Sequence, residues 1–380
     1  MIAQVRTARP AIILNGKDYY SQLAPYLLNL SYTDNSDGKK ADDLQFQLAD
    51  RDKRFINDWM PDVGTFIDVS IIAERWYSPN AATLSLDCGR FWIDSVDFEL
   101  PQHTVSVKAS SIPTGVRLKA ADETRGWENS TLRDIAQQIA GENKMTLDWQ
   151  ANVNPRFVRV EQTEESGLAF LKKRANDAKL SIKVHRNALV IFDEQTYEEK
   201  AAQFTLAYGN TAGTGGLALY RMASAKFHLK VNDTAKKAKV KHSRTETGET
   251  SSSEFQTDEE NLPDVDTNVN EDPGTDPDSI EVEPGPLFRE GEDELVGDWN
   301  AEADSAGSRK AKATLRDKNK DKFHAEIELA LGCPLIASGQ TLNLAGVGQF
   351  DGKWFLESAE HKIGPLYETN LKIRRCLKGY

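Results

Sequence analysis

The sequence is poor in the residues that most often carry chemistry. Three cysteines in 380 residues, Cys88, Cys333 and Cys376, are odd in number and far apart, and none sits in a C-x-x-C pair. They give neither a disulfide framework nor a zinc site any ligand pattern. Six histidines, at 103, 185, 228, 242, 324 and 361, form no H-E-x-x-H. His324-Ala325-Glu326 lacks the downstream cysteines of a zinc deaminase, and the others fall at ordinary strand positions. Long apolar runs are missing too. No segment approaches the ~18 to 20 residues of a membrane helix, and the start, MIAQVRTARP, has no apolar signal core. The expectation is a soluble chain made in a cytoplasm, with no membrane segment.

Phosphate and nucleophile chemistry are equally thin. Gly209, Gly213, Gly215 and Gly216 cluster without the Lys-Ser/Thr of a phosphate loop, so a connector is the plainer reading. Cys88 abuts a turn glycine, Cys333 precedes Pro334, and Asp351-Gly352 is a hairpin turn signal. No residue is assigned as catalytic, cofactor-binding or metal-binding. The alternation of apolar and polar residues, by contrast, is plentiful, and a hydrophobic content of 39% is enough for buried cores.

Charge is unevenly spread. The net charge is −12, yet Glu246 to Glu294 alone holds 18 acids against one base, Arg289, for a local −17 that leaves the remainder at +5. That segment carries Pro263, Pro273, Pro277, Pro284 and Pro286 with many Ser, Thr, Gly and Asn. It cannot bury enough apolar surface to offset an ordering entropy of ~1 to 2 kcal/mol per residue, so by itself it reads as an extended, solvated loop. Seven bases and one acid from Lys226 to Arg244 precede it, and seven bases and two acids from Arg309 to Lys322 follow. These are solvated faces, or the acidic segment folds back on them, or on a basic neighbouring protein, and becomes ordered only on assembly. The net charge and the lack of a basic-aromatic motif disfavour nucleic-acid binding as a primary role.

Three regions follow from periodicity. Residues 1–115 hold short alternating runs, AIILNG, LLNLSYTD, DDLQFQLAD and TFIDVSIIA, and then RFWIDSVDFEL and HTVSVKASSI joined at Pro101-Gln102. Closely spaced strands without helical spacers indicate an antiparallel β-barrel or sandwich. Residues 116–200 form a small α+β unit. It contains a helix from Thr131, with Asp134 completing a capping box, a second helix over about 165–178, and a hairpin turning at Arg186-Asn187. Residues 201–380 return to strands, interrupted by the insertion at 246–294, with a helix over 301–319.

A duplication links the two β regions. GRFWIDSVD, Gly89 to Asp97, matches GKWFLESAE, Gly352 to Glu360, and GTFIDVSI at 64–71 matches GQTLNLAG at 339–346 in the same order. The loop ERWYSPNAATLSLD at 74–87 has no counterpart. The fold class expected is mainly β, two related tube-like antiparallel β-barrels with a small α+β domain between them. Two similar barrels per chain in a threefold ring present a pseudo-sixfold surface.

The ordered pieces SYTDNSDGKKADDLQFQLAD, WMPDVGTFIDVSI, GRFWIDSVDFELPQHTVSVKASS, STLRDIAQQIAGENKMTLDW, ESGLAFLKKRANDAKLSIKVHRNALVIFD and GCPLIASGQTLNLAGVGQFDGKWFLESAEHKI resemble the phage late control D protein family. These are the baseplate hub proteins of contractile tails, related to the hub portion of the VgrG spike proteins of type VI secretion. The resemblance runs from about residue 10 to the end and rests on the combination rather than on any one motif. It implies a structural role without enzymatic activity, at the tail baseplate of a virion or related particle. It also implies a homotrimer that joins a sixfold tail tube protein to a threefold central spike protein, contacts other baseplate proteins, and leaves an axial channel through which DNA or other cargo passes. The acidic insertion departs from that pattern. The alternatives from other classes are a tail-tip protein that binds or hydrolyses peptidoglycan, with residues 120–200 as its carbohydrate-binding part, and a cytoplasmic assembly chaperone.

Overall fold

A computed structural model describes residues 5–36, 41–113, 118, 123–209, 218–230, 237–243, 250–256, 294–298, 311–312, 314–317, 319–320 and 322–377. The first region contains β1 (Thr7–Leu14), β2 (Lys17–Asp18), a single turn α1 (Tyr20–Leu23), β3 (Leu27–Asn35), β4 (Asp43–Ala49), β5 (Phe66–Glu74), β6 (Leu84–Glu99) and β7 (Thr104–Ser110). Side chains alternate across a strand with period two. Leu30 and Tyr32, Leu44, Phe46 and Leu48, Ile67, Val69 and Ile71, and Val105 and Val107 therefore share one buried core. The order is β1-β5-β6-β7-β4-β3, antiparallel throughout. The unmatched loop is structural: the Trp76 indole donates to the Gly332 carbonyl at 2.6 Å, which ties the first β region to the second.

The middle region contains β8 (Glu123–Thr131), α2 (Leu132–Glu142), β9 (Thr146–Gln150), β10 (Arg156–Glu165), α3 (Gly167–Asp177), β11 (Leu180–His185), β12 (Ala188–Asp193) and α4 (Glu194–Glu199). The capping box forms: the Thr131 hydroxyl accepts from the Asp134 amide, and Asp134 accepts from the Thr131 amide. Leu132, Ile135, Ala136, Ile139 and Ala140 then point into a core shared with Leu168, Phe170 and Leu171 of α3. Arg186 and Asn187 have φ of 50° and 61°, as a two-residue hairpin turn that follows strand twist requires. Two pairings were not expected from sequence. β9 lies parallel to β12, and the polar β8 pairs with β10.

The last region contains β13 (Phe204–Ala207), β14 (Ala218–Leu229), β15 (Lys237–Ser243), β16 (Thr250–Gln256), β17 (Glu294–Asp298), β18 (Phe323–Leu329), β19 (Thr341–Ala345), a 3-10 turn at Gly348–Phe350, β20 (Gly352–Ile363) and β21 (Tyr367–Arg375). A closed barrel runs β13-β14-β18-β21-β20-β19 and back to β13. It is not purely antiparallel as expected. β13 is parallel to both neighbours, and all four of its residues are buried, the environment in which parallel strands persist. The two β regions form one sheet, because β20 pairs antiparallel with β3 from Ser358 opposite Asn35 to Ile363 opposite Leu30.

The insertion differs from the plain loop expected. Residues 250–256 and 294–298 are strands, arranged as β16-β15-β17. The register sets Glu254 opposite Lys239 and Glu294 beside Lys237, so both ends of the acidic segment align on the basic run before it. Residues 257–293 lie outside the described residues. Of the helix expected over 301–319, residues 311–312, 314–317 and 319 are helical and the rest lie outside the described residues.

Candidate assembly interface

The duplication extends to the hydrogen bonds. Phe66, Ile67 and Asp68 of β5 face Trp92, Phe91 and Arg90 of β6; Thr341, Leu342 and Asn343 of β19 face Phe355, Trp354 and Lys353 of β20. The Gly64 amide donates to the Ile93 carbonyl at 2.8 Å, and Gly339 does the same to Leu356 at 2.8 Å. β6 skips one residue against β7 between Ile93 and Ser95, and β20 skips one against β21 between Leu356 and Ser358. A β-bulge is a specific irregularity, and here it recurs at aligned positions. β3 and β14 repeat it: β3 slips against β4 between Leu27 and Asn29, β14 against β18 between Met222 and Ser224. These pairings reveal a third match that sequence alternation alone hides, DLQFQLA at 43–49 with HAEIELA at 324–330. The acidic insertion thus occupies the connection that corresponds to residues 36–42.

The result is a run of eight antiparallel strands, β6-β7-β4-β3 followed by β20-β21-β18-β14. One face covers the cores and the other is polar. On that polar face, Thr33, Lys226, Glu326, Glu360, Asn370 and Lys372 line a trough of about 580 Å³.

The two ends of these strands differ. At one end lie the hairpins 100–103 and 364–366 and the loop after β4. These segments carry exposed apolar side chains: Trp59, Met60, Leu100 and Leu366. At the other end the α+β unit is pinned by buried charge. Lys183 lies between Asp34 and Asp42, 3.3 Å from the latter and ion-paired with both. His185 Nδ1 is 3.4 Å from Asp42. Arg374 of β21 reaches Glu194 at 3.0 Å, Glu357 at 3.4 Å and Glu198, while Arg316 also pairs with Glu198. Burial alone would raise the Asp34 carboxyl, but Lys183 and the Ser338 amide hold it below the usual carboxylate range.

The histidines take structural places. His228 and His324 stack across strands with centroids 4.6 Å apart, and His103 sits in the hairpin loop at φ 54°. His361 is more than packing: it stacks on Tyr32, Nδ1 accepts from the Tyr367 hydroxyl at 2.9 Å, and Nε2 donates to the Ile336 carbonyl at 3.1 Å. The side chain of His242 and the glycines at 213, 215 and 216 lie outside the described residues, while Gly209 accepts from Arg221. Asp351 accepts from the Gly346 and Val347 amides in its turn. Cys88 and Cys333 are buried, and burial pushes the Cys376 thiol up to about 12. Among the described residues no three His, Cys, Asp or Glu converge on a metal-sized site.

Burial lowers the His361 imidazole to about 4 from 6.5. Because the folded value is depressed, its contribution is present above pH 6.5 and is lost as pH falls through 4. The loss is on the order of 3 kcal/mol. Phe98 fills the aligned place in the first copy, so His361→Phe should flatten the stability profile between pH 7 and 4. Urea denaturation at several pH values measures it; parallel profiles for the two proteins would exclude the assignment.

Comparison with known proteins follows the same lines. The sequence model of the family described as phage tail baseplate hub (GPD) matches residues 92–365. Curated protein sequences give no match. Among solved structures, a tail protein from Neisseria meningitidis MC58 has a TM-score of 0.64 at 11% identity, with 97% of this chain and 96% of that one covered. The prophage MuSo2 43 kDa tail protein from Shewanella oneidensis has a TM-score of 0.63 at 10% identity, over 97% and 98% of the chains. The E. coli c3393 protein is described as a type VI secretion component with structural similarity to the T4 tail proteins gp27 and gp5. It has a TM-score of 0.52 at 10% identity, over 93% and 75%. At these identities the structures speak to fold alone, whereas the sequence match covers well over half of the chain: this protein belongs to the phage tail baseplate hub (GPD) family.

Proposed function

We propose that three copies of this chain close into a ring that joins a sixfold tail tube to a threefold central spike around an axial channel. The observation that carries the reading is the duplication with conserved register and bulges: each copy supplies two equivalent four-stranded units, so a trimer presents six. On this reading the domains are a first barrel at 1–115, an α+β unit at 116–200, and a second barrel at 201–380 bearing the insertion 246–294. The end with hairpins 100–103 and 364–366 offers similar apolar tips twice per chain and suits the sixfold tube. The opposite end carries one α+β unit per chain and suits the threefold spike and other baseplate proteins.

The polar face would line the channel. A closed sheet of twenty-four strands spaced ~4.8 Å apart and tilted ~35–45° has a backbone diameter of roughly 45 Å. Its charges lean acidic: Asp43, Asp97, Glu99, Glu326, Glu328, Glu360 and Glu368 against Lys108, Lys226, Lys362 and Lys372. Such a wall does not hold a passing polyanion, which suits a conduit for DNA or other cargo in the tail of a finished particle. The role is mechanical, and no turnover of cell wall is expected. Native mass measurement with imaging of the purified chain tests it. A threefold ring with six lobes is the expected result; a stable monomer at micromolar concentration would refute it.

A further inference from the structure

The chain contains a template for its own assembly. Within it, β20 docks on β3, so the second four-stranded unit follows the first edge to edge. The two ends of the eight-stranded run are the strands that correspond to these two. Residues Ser95–Glu99 of β6 correspond to Ser358–Lys362 of β20; among the described residues they pair only with β7. Residues Ala225–Leu229 of β14 correspond to Leu30–Asp34 of β3; among the described residues they pair only with β18.

We infer that the ring closes by pairing the β6 edge of one copy with the β14 edge of the next, in the register that β20 and β3 use inside the chain. This deepens the trimeric reading and rests on it. Transferring the internal register sets Val96 opposite Leu229, Asp97 opposite His228, Phe98 opposite Phe227, Glu99 opposite Lys226, and Leu100 opposite Ala225.

Three observations identify a second copy of this chain as the occupant. The first is burial. Ala359, His361 and Ile363, and their partners Leu30, Tyr32 and Asp34, are all buried, whereas Leu100 is 65% and Leu229 54% exposed at the corresponding places. Val96 and Phe98 are only half-buried. Apolar side chains along a bare edge are an aggregation hazard unless another strand covers them. The second is chemistry. The transferred register matches an acid to a base at Glu99 and Lys226, an aromatic to an aromatic at Phe98 and Phe227, and apolar to apolar at the flanks, each a favourable cross-strand pair. His361 and Tyr32 fill the aromatic place at the internal junction with rings stacked 6.0 Å apart. The third is polarity. The complementary edges lie at opposite ends of one run, so the contact is head-to-tail and propagates until it closes.

Directly opposed strand residues have Cα atoms ~4.5–5.5 Å apart, within reach of a disulfide. The test uses the full chain with Cys376→Ser, carrying Glu99→Cys and Lys226→Cys, treated with oxidised glutathione. Covalent dimers and a terminal covalent trimer are expected on a non-reducing gel. Phe98→Cys with Lys226→Cys should give none, because those side chains would point to opposite faces. Separately, Glu99→Lys should weaken trimer formation at least tenfold, and adding Lys226→Glu should restore it. A chain that is trimeric by native mass yet neither cross-links at 99 and 226 nor responds to Glu99→Lys would overturn this seam and leave the trimer standing. A chain that stays monomeric overturns both.

Discussion

Replacing Arg374 with methionine should lower the stability of the fold by about 3–5 kcal/mol, the usual consequence of removing one partner from a buried ion network. The side chain is 1% exposed and lies over the Phe355 ring at 4.7 Å. Its guanidinium contacts Glu194, Glu198 and Glu357. Glu198 also accepts from the Leu377 amide, and Glu194 from the Ser181 hydroxyl. Methionine restores much of the volume but leaves Glu194 and Glu198 with Arg316 and Lys320, and Glu357 with Lys372, as counter-charges. Because Arg374 is on β21 and two of its acids are on α4, the damage falls on the docking of the α+β unit against the second barrel. The pH dependence has a definite sign. Burial would raise the Glu194 carboxyl, but Lys320, Arg374 and Arg316 hold it below 4.5. Its stabilisation is therefore present above pH 4.5 and lost as pH falls, so the difference between the two proteins should narrow in acid. Urea midpoints at pH 7 and pH 4 measure both effects; a loss below 1 kcal/mol at pH 7 would show that the network does not hold the unit in place.

The duplicated strands and α2 were legible in sequence for physical reasons. α2 has a capping box at Thr131 and Asp134 and five buried residues on one 3.6-residue stripe, signals local to eleven residues. Gly89–Asp97 and Gly352–Glu360 were legible because their paired aromatics and charges are unusual for strands. The match between DLQFQLA and HAEIELA was not, since alternation alone is shared by most half-buried strands and only hydrogen-bond register distinguishes them. The bulges at Asp94 and Glu357 are backbone events with no side-chain signature. β8 has no alternating signature because ETRGWENST buries only Trp127 fully. The ends of the acidic segment were read from composition, which speaks to a segment alone; their strands arise from pairing with the basic β15. The charged seams were least legible of all. Lys183 is 149 residues from Asp34, and such partners are set by tertiary packing.

That seam carries the second large effect. Lys183 binds Asp34 and Asp42 and lies 3.3 Å from the Ser338 hydroxyl, so one ammonium joins the α+β unit to both β regions. Lys183→Met would leave two buried carboxylates facing each other, and a destabilisation of about 3–5 kcal/mol is expected at pH 7. Burial already pushes the Asp42 carboxyl up, with His185 and Lys183 opposing it. Without the ammonium both acids would titrate above their unfolded values. A raised carboxyl contributes stability at low pH that is lost as pH rises, so the variant should regain stability on acidification from pH 7 toward 4. The native protein moves the other way in that window, because His361 loses its contribution as pH falls; Asp34, held below 3.8, loses its own only in stronger acid. The two pH profiles should therefore converge. Adding Asp42→Asn to Lys183→Met removes one of the stranded charges and should recover part of the loss. Asp34 is the penultimate residue of β3 and pairs with Ala359 of β20, so the same variant should loosen the internal junction on which the intermolecular seam is patterned. Hydrogen exchange at residues 30–35 reads this directly. Unchanged protection there, alongside a lowered urea midpoint, would confine the role of Lys183 to holding the α+β unit.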